Sequence, residues 1–343
     1  MRPLMAIALI LAAGLGIYTY SAYNKPDPER LPLPPVSGIE ESSEFDELPA
    51  VATNAQEPAP KAIEFDGKQA MRYLGDVCAI GPRITGSEGM KKQQDLLKKH
   101  FEDLKLQVKF QTFAGKQVSV NKAMEMQNLI VSFQPDKKKR AILCSHYDTR
   151  PHADQEPDRR KWKEPFVSAN DGGSGVAFLM EFAKHLPKLD LEVGVDLVFF
   201  DAEEYIFDRE TDRYFLGSQH FALAWRKLGK DRPDYLGAVL LDMIAGKRPR
   251  FPVEQNSYRG AKALTQQLWH IAKQQGCDAF VQELGDNVLD DHLALINVGI
   301  PAVDIIDFRY PHWHRLSDTP ENCDPNGMIQ VSKVLGAWLQ SLR

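Results

Sequence analysis

Three acids close a run that is otherwise apolar: VDLVFFDAEEY, Val195 to Tyr205, finishes on Asp201, Glu203 and Glu204. Like charges this close raise one another's pKa, so the arrangement costs free energy unless a cation or a shared proton relieves it. Other apolar runs end in the same way. RAILCSHYD stops on His146 and Asp148, LLDMI carries Asp242, and SANDGGSG brings Asp171 to the start of a helix. Further on, Asp290, Asp291 and His292 stand before a helical segment, and IPAVDIID is followed by RYPHWHRLSDTPEN with His312 and His314. A single aspartate or histidine at a strand end is more often a cap or turn former than a ligand. Recurrence at one strand end after another favours a shared site.

Mixed carboxylate and imidazole donors suit a hard or borderline divalent cation, and catalytic zinc takes three protein ligands while keeping one position open. Asp171, one of the paired glutamates and one histidine would fill that role. Adjacent residues on a strand point to opposite faces, but past the strand end the chain turns, so Glu203 and Glu204 are expected to do different jobs in one pocket. One would bind the metal. The other would stay unligated beside it and move protons.

The elements that must position these residues alternate along the chain. DGKQAMRYLGDVCAIG and GPRITGSEGMKKQQDLLKKHFEDL read as helices, the second with Leu96, Leu97, Phe101 and Leu104 at helical spacing. VKFQTFAG, MQNLIVSFQ and RAILCSHYD read as strands, with DKKKR a polar turn before the third. The helix SGVAFLMEFAKHL, the strands GVDLVFF and LGAVLLDMI, the helix ALTQQLWHIAKQQG, the strand IPAVDIID and the closing helix MIQVSKVLGAWLQSL follow. Near-continuous apolar strands between helices predict an α/β three-layer sandwich on a mixed, mostly parallel sheet. Ligands of such folds sit at the carboxyl ends of the strands, where the acids gather.

The 343 residues are 43% hydrophobic and 26% charged, which suits a globular domain with a substantial core. A net charge of -5 supplies no basic field for a nucleic acid. Cys78, Cys144, Cys277 and Cys323 are scattered, without a CxxC pair, and read as buried thiols with room for one opportunistic disulfide. The first 23 residues, MRPLMAIALILAAGLGIYTYSAY, place Arg2 before roughly twenty largely apolar residues, enough to span a bilayer. Tyr20 lies close to the natural cut after Ala22, which favours an uncleaved anchor over a cleaved signal. Arg2 on the short leading side predicts export of the rest, to the periplasm or another extracytoplasmic face. Residues 24–61, rich in proline and acid, read as a solvated tether, and 62–343 as one catalytic domain.

HYD, SANDGGSG, DAEE, LGSQHFA, LLDMI, DDH and WH, in this order, resemble the zinc aminopeptidase superfamily and, within it, the animal-type glutaminyl cyclases (glutaminyl-peptide cyclotransferases) and their bacterial relatives. The resemblance covers nearly everything from Ala62 onward. It implies one zinc ion per chain on Asp171, Glu204 and His314, with Glu203 as general acid/base and Asp242 and Asp290 as partners in its hydrogen-bond network. It implies peptides or proteins with an amino-terminal glutamine as substrates, and pyroglutamate and ammonia as products. Aminopeptidase relatives would hold a second metal on His146 and Asp242, both present here. Asp290, where those relatives commonly carry serine, and Trp313, an indole that would line the glutamine pocket, favour the cyclases. The alternatives are a zinc aminopeptidase and a catalytically inactive, membrane-tethered binding module. Trp162 and the charged segments TRPHADQEPDRRKWKEPFVSA and IFDRETDRYF are left without a role by this reading.

Overall fold

The computed structural model describes residues 63–343. The expected membrane segment and the whole of the tether, residues 24–61, lie outside the described residues. No helix of the described residues is long and apolar enough to cross a membrane.

Eight strands follow in chain order: β1 (Gln107–Lys116), β2 (Ala123–Phe133), β3 (Lys139–His146), β4 (Gly194–Phe200), β5 (Asp234–Asp242), β6 (Phe251–Val253), β7 (Phe280–Leu284) and β8 (Ala302–Ile306). Six of them build one sheet in the order β1-β2-β4-β3-β5-β8. The β1–β2 hairpin joins it antiparallel, while β4, β3, β5 and β8 are mutually parallel. Their carboxyl ends therefore open on one side, carrying His146, the turn after Phe200 and Asp242. The short strands β6 and β7 pair separately.

Helices α1 (Gly67–Ala79), α2 (Glu88–Asp103), α3 (Gly173–Phe182), α4 (Leu216–Lys227), α5 (Gln255–Gly260), α6 (Lys262–Gln274), α7 (His292–Ile296) and α8 (Asn326–Ser341) complete the outline. The parity of the strands decides which helices cover which face. Ala141, Leu143, Val195, Leu197, Phe199, Val239 and Leu241 point into the core shared with α1, α2, α3 and α8. Their neighbours Ile142, Cys144, Val198, Phe200, Ala238 and Leu240 point the other way, onto Phe221, Ala222 and Trp225 of α4 and Ala294 and Leu295 of α7. The result is the three-layer sandwich expected from the sequence. Leu97 and Phe101 of the α2 stripe are buried, and Leu96 and Leu104 pack at its margin. Ser87 starts α2 by accepting from the Met90 amide.

Sheet and α3 approach closely at Gly175, where a Cβ would lie 2.2 Å from Ser145 Oγ and 2.6 Å from the Leu241 carbonyl. At the opposite end from the acids, Arg140 and Asp196 form a bidentate buried pair, with Nη2–Oδ1 at 2.6 Å and Nε–Oδ2 at 2.8 Å. Ser132 and the Tyr235 hydroxyl donate to the same carboxylate, so strands β2, β3, β4 and β5 meet on one acid. Breaking a buried pair on one side leaves a stranded charge. Asp196→Ala is therefore expected to lower unfolding free energy by about 3–5 kcal/mol, whereas Arg140→Met with Asp196→Leu should cost far less. Denaturant titration of the two proteins checks both values.

Candidate metal centre

Each acid of the site is placed by the backbone that precedes it. His146 ends β3, and Asp171 directly precedes Gly172, the residue that caps α3. Gly172 has φ +72°, and a Cβ there would lie 2.7 Å from the His146 ring, so glycine is required for both conformation and space. Asp318 holds the Asp171 peptide from behind, accepting from the Asn170 amide at 2.9 Å and the Asp171 amide at 3.2 Å. Asp148 does the same for the paired glutamates, accepting from Glu203 N at 3.1 Å and Glu204 N at 3.0 Å. Asp201, the third acid of DAEE, faces away, accepting from Thr85 Oγ1 and the Gln127 amide.

The side chains converge on Asp171. Its Oδ1 lies 3.2 Å from His146 Nε2, and its Oδ2 lies 3.4 Å from His314 Nε2. His314 Nε2 is also 2.5 Å from Glu204 Oε1, and His146 Nε2 is 3.4 Å from Asp242 Oδ1. Donor atoms of His146, Asp171 and Glu204 all lie within 4.8 Å of one another. Asp171 Oδ2, Glu204 Oε2 and Asp242 Oδ1 are buried without a hydrogen-bond partner. Buried carboxylate oxygens left in this state are costly, and a divalent cation between Asp171 and Glu204 would satisfy those two. The donor set of carboxylates and imidazoles fits zinc. Asp171, Glu204 and His314 lie beside one another, and His146 shares the cluster, forming with Asp171 and Glu204 the group whose donor atoms are mutually within reach of one ion.

The paired glutamates separate electrostatically. Burial pushes Glu203 well above the ordinary carboxylate range, and the adjacent Glu204 charge adds to it. In Glu204 the opposing effect of burial is outweighed by His314 and Arg150, which hold its carboxyl down at about 2. Burial, followed by the charges of Asp242 and Asp291, also pushes Asp290 well up. Glu204 is thus favoured as an anion beside His314, while Glu203 and Asp290 are both shifted towards the protonated form. Trp313 is half-buried among Met243, Val288, Ile306, Tyr310 and Phe308, its ring centroid 4.1 Å from that of His314.

Residues 128–339 match the family model described as peptidase family M28. The chain belongs to peptidase family M28. Solved structures are similar to it over most of its length. The Fimbriiglobus ruber glutaminyl cyclase is 48% identical with a TM-score of 0.81, covering 84% of this chain and 100% of that one. A leucine aminopeptidase precursor from Bacteroides thetaiotaomicron is 28% identical with a TM-score of 0.78, over 83% of this chain and 100% of that one. The glutaminyl-peptide cyclotransferase of Gloydius blomhoffii is 26% identical over 247 residues, 62% of this chain and 64% of the relative's length.

Trp162 anchors its loop: the indole donates to the Glu156 carbonyl, and its own carbonyl accepts from the Ala153 amide. Asp148 and Asp318, the two backbone clamps, stand in the HYD and RLSDTPEN motifs, where their proximity to His146 and His314 was the one available signal.

Glu203→Gln is expected to keep its metal, because none of the anionic donors is touched, while Glu204→Gln should bind zinc markedly more weakly. Metal analysis after dialysis distinguishes the two, and equal zinc loss in both would overturn this division of roles.

Proposed function

We propose that this M28 member is a zinc-dependent glutaminyl-peptide cyclotransferase that converts the amino-terminal glutamine of peptides and proteins to pyroglutamate. The observation that carries the reading is the placement of the paired glutamates: both amides donate to Asp148, yet Glu204 turns to His314 Nε2 at 2.5 Å while Glu203 lies 3.9 Å from His146 Nδ1. The high identity to the Fimbriiglobus ruber cyclase across that protein's full length supports it.

In the reaction the α-amine nitrogen attacks the side-chain amide carbon of the same residue. A carbon–nitrogen bond closes the five-membered lactam, the bond to the amide nitrogen breaks, and ammonia leaves. Glu203, as carboxylate, takes a proton from the attacking amine and then gives it to the departing nitrogen, so no net proton and no water is consumed. Asp242 and Asp290 are the partners of Glu203 in a hydrogen-bond network that keeps its orientation. Asp171, Glu204 and His314 would hold one zinc ion, which when bound supplies a Lewis acid for the amide oxygen. Trp313 offers an apolar wall on which a compactly folded glutamine side chain is held for attack.

A second reading has its own observation. His146 Nε2 lies 3.2 Å from Asp171 Oδ1 and 3.4 Å from Asp242 Oδ1, three donors that a second cation could use, and a leucine aminopeptidase precursor is among the structural neighbours. For the cyclase, His146 and Asp242 act through hydrogen bonds instead.

We also propose that the domain works outside the cytoplasm, held to the membrane by residues 1–23. Amino-terminal sequencing of protein from the native host should find no new terminus near Tyr23; a mature chain that begins there would replace the anchor by a cleaved signal.

For the activity, a Gln-initiated peptide should lose the mass of one ammonia and a Leu-initiated peptide should stay intact, with one zinc per chain. Free leucine released by metal-replete enzyme, with two zinc ions bound and no ammonia formed, would move the assignment to aminopeptidase.

A further inference from the structure

Two charged segments without a sequence-derived role meet behind His314. Asp154, in the loop between β3 and α3, accepts from Arg150 Nε at 2.9 Å and from Arg209 Nε at 2.8 Å, both on Oδ2. Its other oxygen, Oδ1, lies 3.0 Å from His314 Nδ1. Arg209 belongs to the insertion that follows Glu204. Asp212 braces that insertion, accepting from the Phe207 and Asp208 amides and from both the amide and hydroxyl of Ser119 at the β1–β2 hairpin tip.

We infer that Asp154, held by Arg150 and Arg209, is a positioning residue that fixes the tautomer and aim of His314. An ionised carboxylate only accepts, so the His314 nitrogen facing Asp154 must carry the ring proton. In the neutral form of the ring that can bind a cation the lone pair is then on Nε2, the nitrogen that faces Glu204 Oε1 and Asp171 Oδ2. The opposite tautomer sets a nitrogen lone pair against a carboxylate oxygen and leaves no donor atom for a cation. The two arginines fasten Oδ2, so Asp154 cannot rotate away without stranding Arg150, whose side chain is 2% exposed. The backbone is held along with the ring: the His314 carbonyl accepts from the Gln155 amide at 3.1 Å, and Glu156 Oε2 accepts from the Leu316 amide at 3.2 Å. An acceptor on the far nitrogen of a ligating histidine raises its basicity and orients the ring.

The inference rests on the zinc reading above, and its test is built to fail separately. Full-length wild type, Asp154→Asn and Arg209→Gln are compared for zinc affinity by competition with a chromophoric chelator, with thermal unfolding as a control for folding. Loss of Asp154 is expected to weaken zinc binding by about 10–100-fold. Arg209→Gln touches only the clamp and should weaken it by a smaller factor. In zinc-loaded wild type, nitrogen-15 histidine NMR should show a slowly exchanging, low-field proton on Nδ1 of His314, shifted upfield in Arg209→Gln. Unchanged affinity in folded Asp154→Asn, or a His314 whose Nδ1 carries no proton in the zinc-loaded wild type, overturns the positioning role. If Asp154→Asn does not fold, Arg209→Gln and the wild-type spectrum decide it. A wild-type chain that takes up no zinc overturns the metal reading, and this inference with it.

Discussion

Mutual repulsion among buried carboxylates is the constraint around which this fold is arranged. Asp148, Asp171, Glu203, Glu204, Asp242, Asp290 and Asp291 are all buried at one end of the sheet. Two unit charges 4 Å apart interact by about 4 kcal/mol at an effective dielectric of 20, so a cluster of anions left uncompensated would exceed the stability of a whole domain. The molecule relieves it in distinct ways. Backbone amides point at Asp148 and Asp318, His314 and Arg150 neutralise Glu204, and burial shifts Glu203 and Asp290 towards their neutral forms. What remains, centred on Asp171, is a set of oxygens without partners, and that residue of unmet demand is what makes the place a cation site.

The same corner stores backbone strain. Ser168, Ala202, Phe215, Met243 and His314 all have positive φ without being glycine. Such conformations cost of order 1–3 kcal/mol each and persist only where surrounding contacts determine them. Their positions follow the chemistry: Ala202 directly precedes Glu203, Met243 directly follows Asp242, and His314 is itself a proposed ligand. The turn at Ala202 lets adjacent glutamates serve different tasks, because it breaks the strict alternation of a strand. Asp201, one residue earlier, still obeys that alternation and is spent on holding Thr85 and the Gln127 amide.

Much of this was legible in the residues. Near-continuous apolar runs marked the central strands, and acids placed just after them marked the site, since a buried strand has little other reason to finish on charge. The fold class followed from alternation alone. What escaped was of two kinds. Helix Leu216–Lys227 carries no start signal, because Phe215 at its N-cap is left-handed and makes no side-chain cap bond; β6 and β7 are too short for a period to register. Asp154, Arg150 and Arg209 lay in stretches so rich in both charges that a solvated surface was the natural reading, and only the folded chain reveals that opposite charges from different loops are paired indoors.

The parallel topology has a consequence for how the domain is made. The groups around Asp171 come from β3, the start of α3, the turn after β4, the end of β5 and the loop after β8, so nearly half the chain separates His146 from His314. In the sheet β4 lies between β2 and β3, both of which precede it in the chain, and β8, the last strand made, pairs with β5 at the edge. Contacts so distant in sequence form slowly. A growing or refolding chain therefore passes through a long interval in which its carboxylates are still hydrated and dispersed and no high-affinity donor set exists. Metal capture becomes a late event that rewards completion: an ion arriving early finds no home, and one arriving late slows reopening of the finished sheet by stabilising only the state in which every strand is in place.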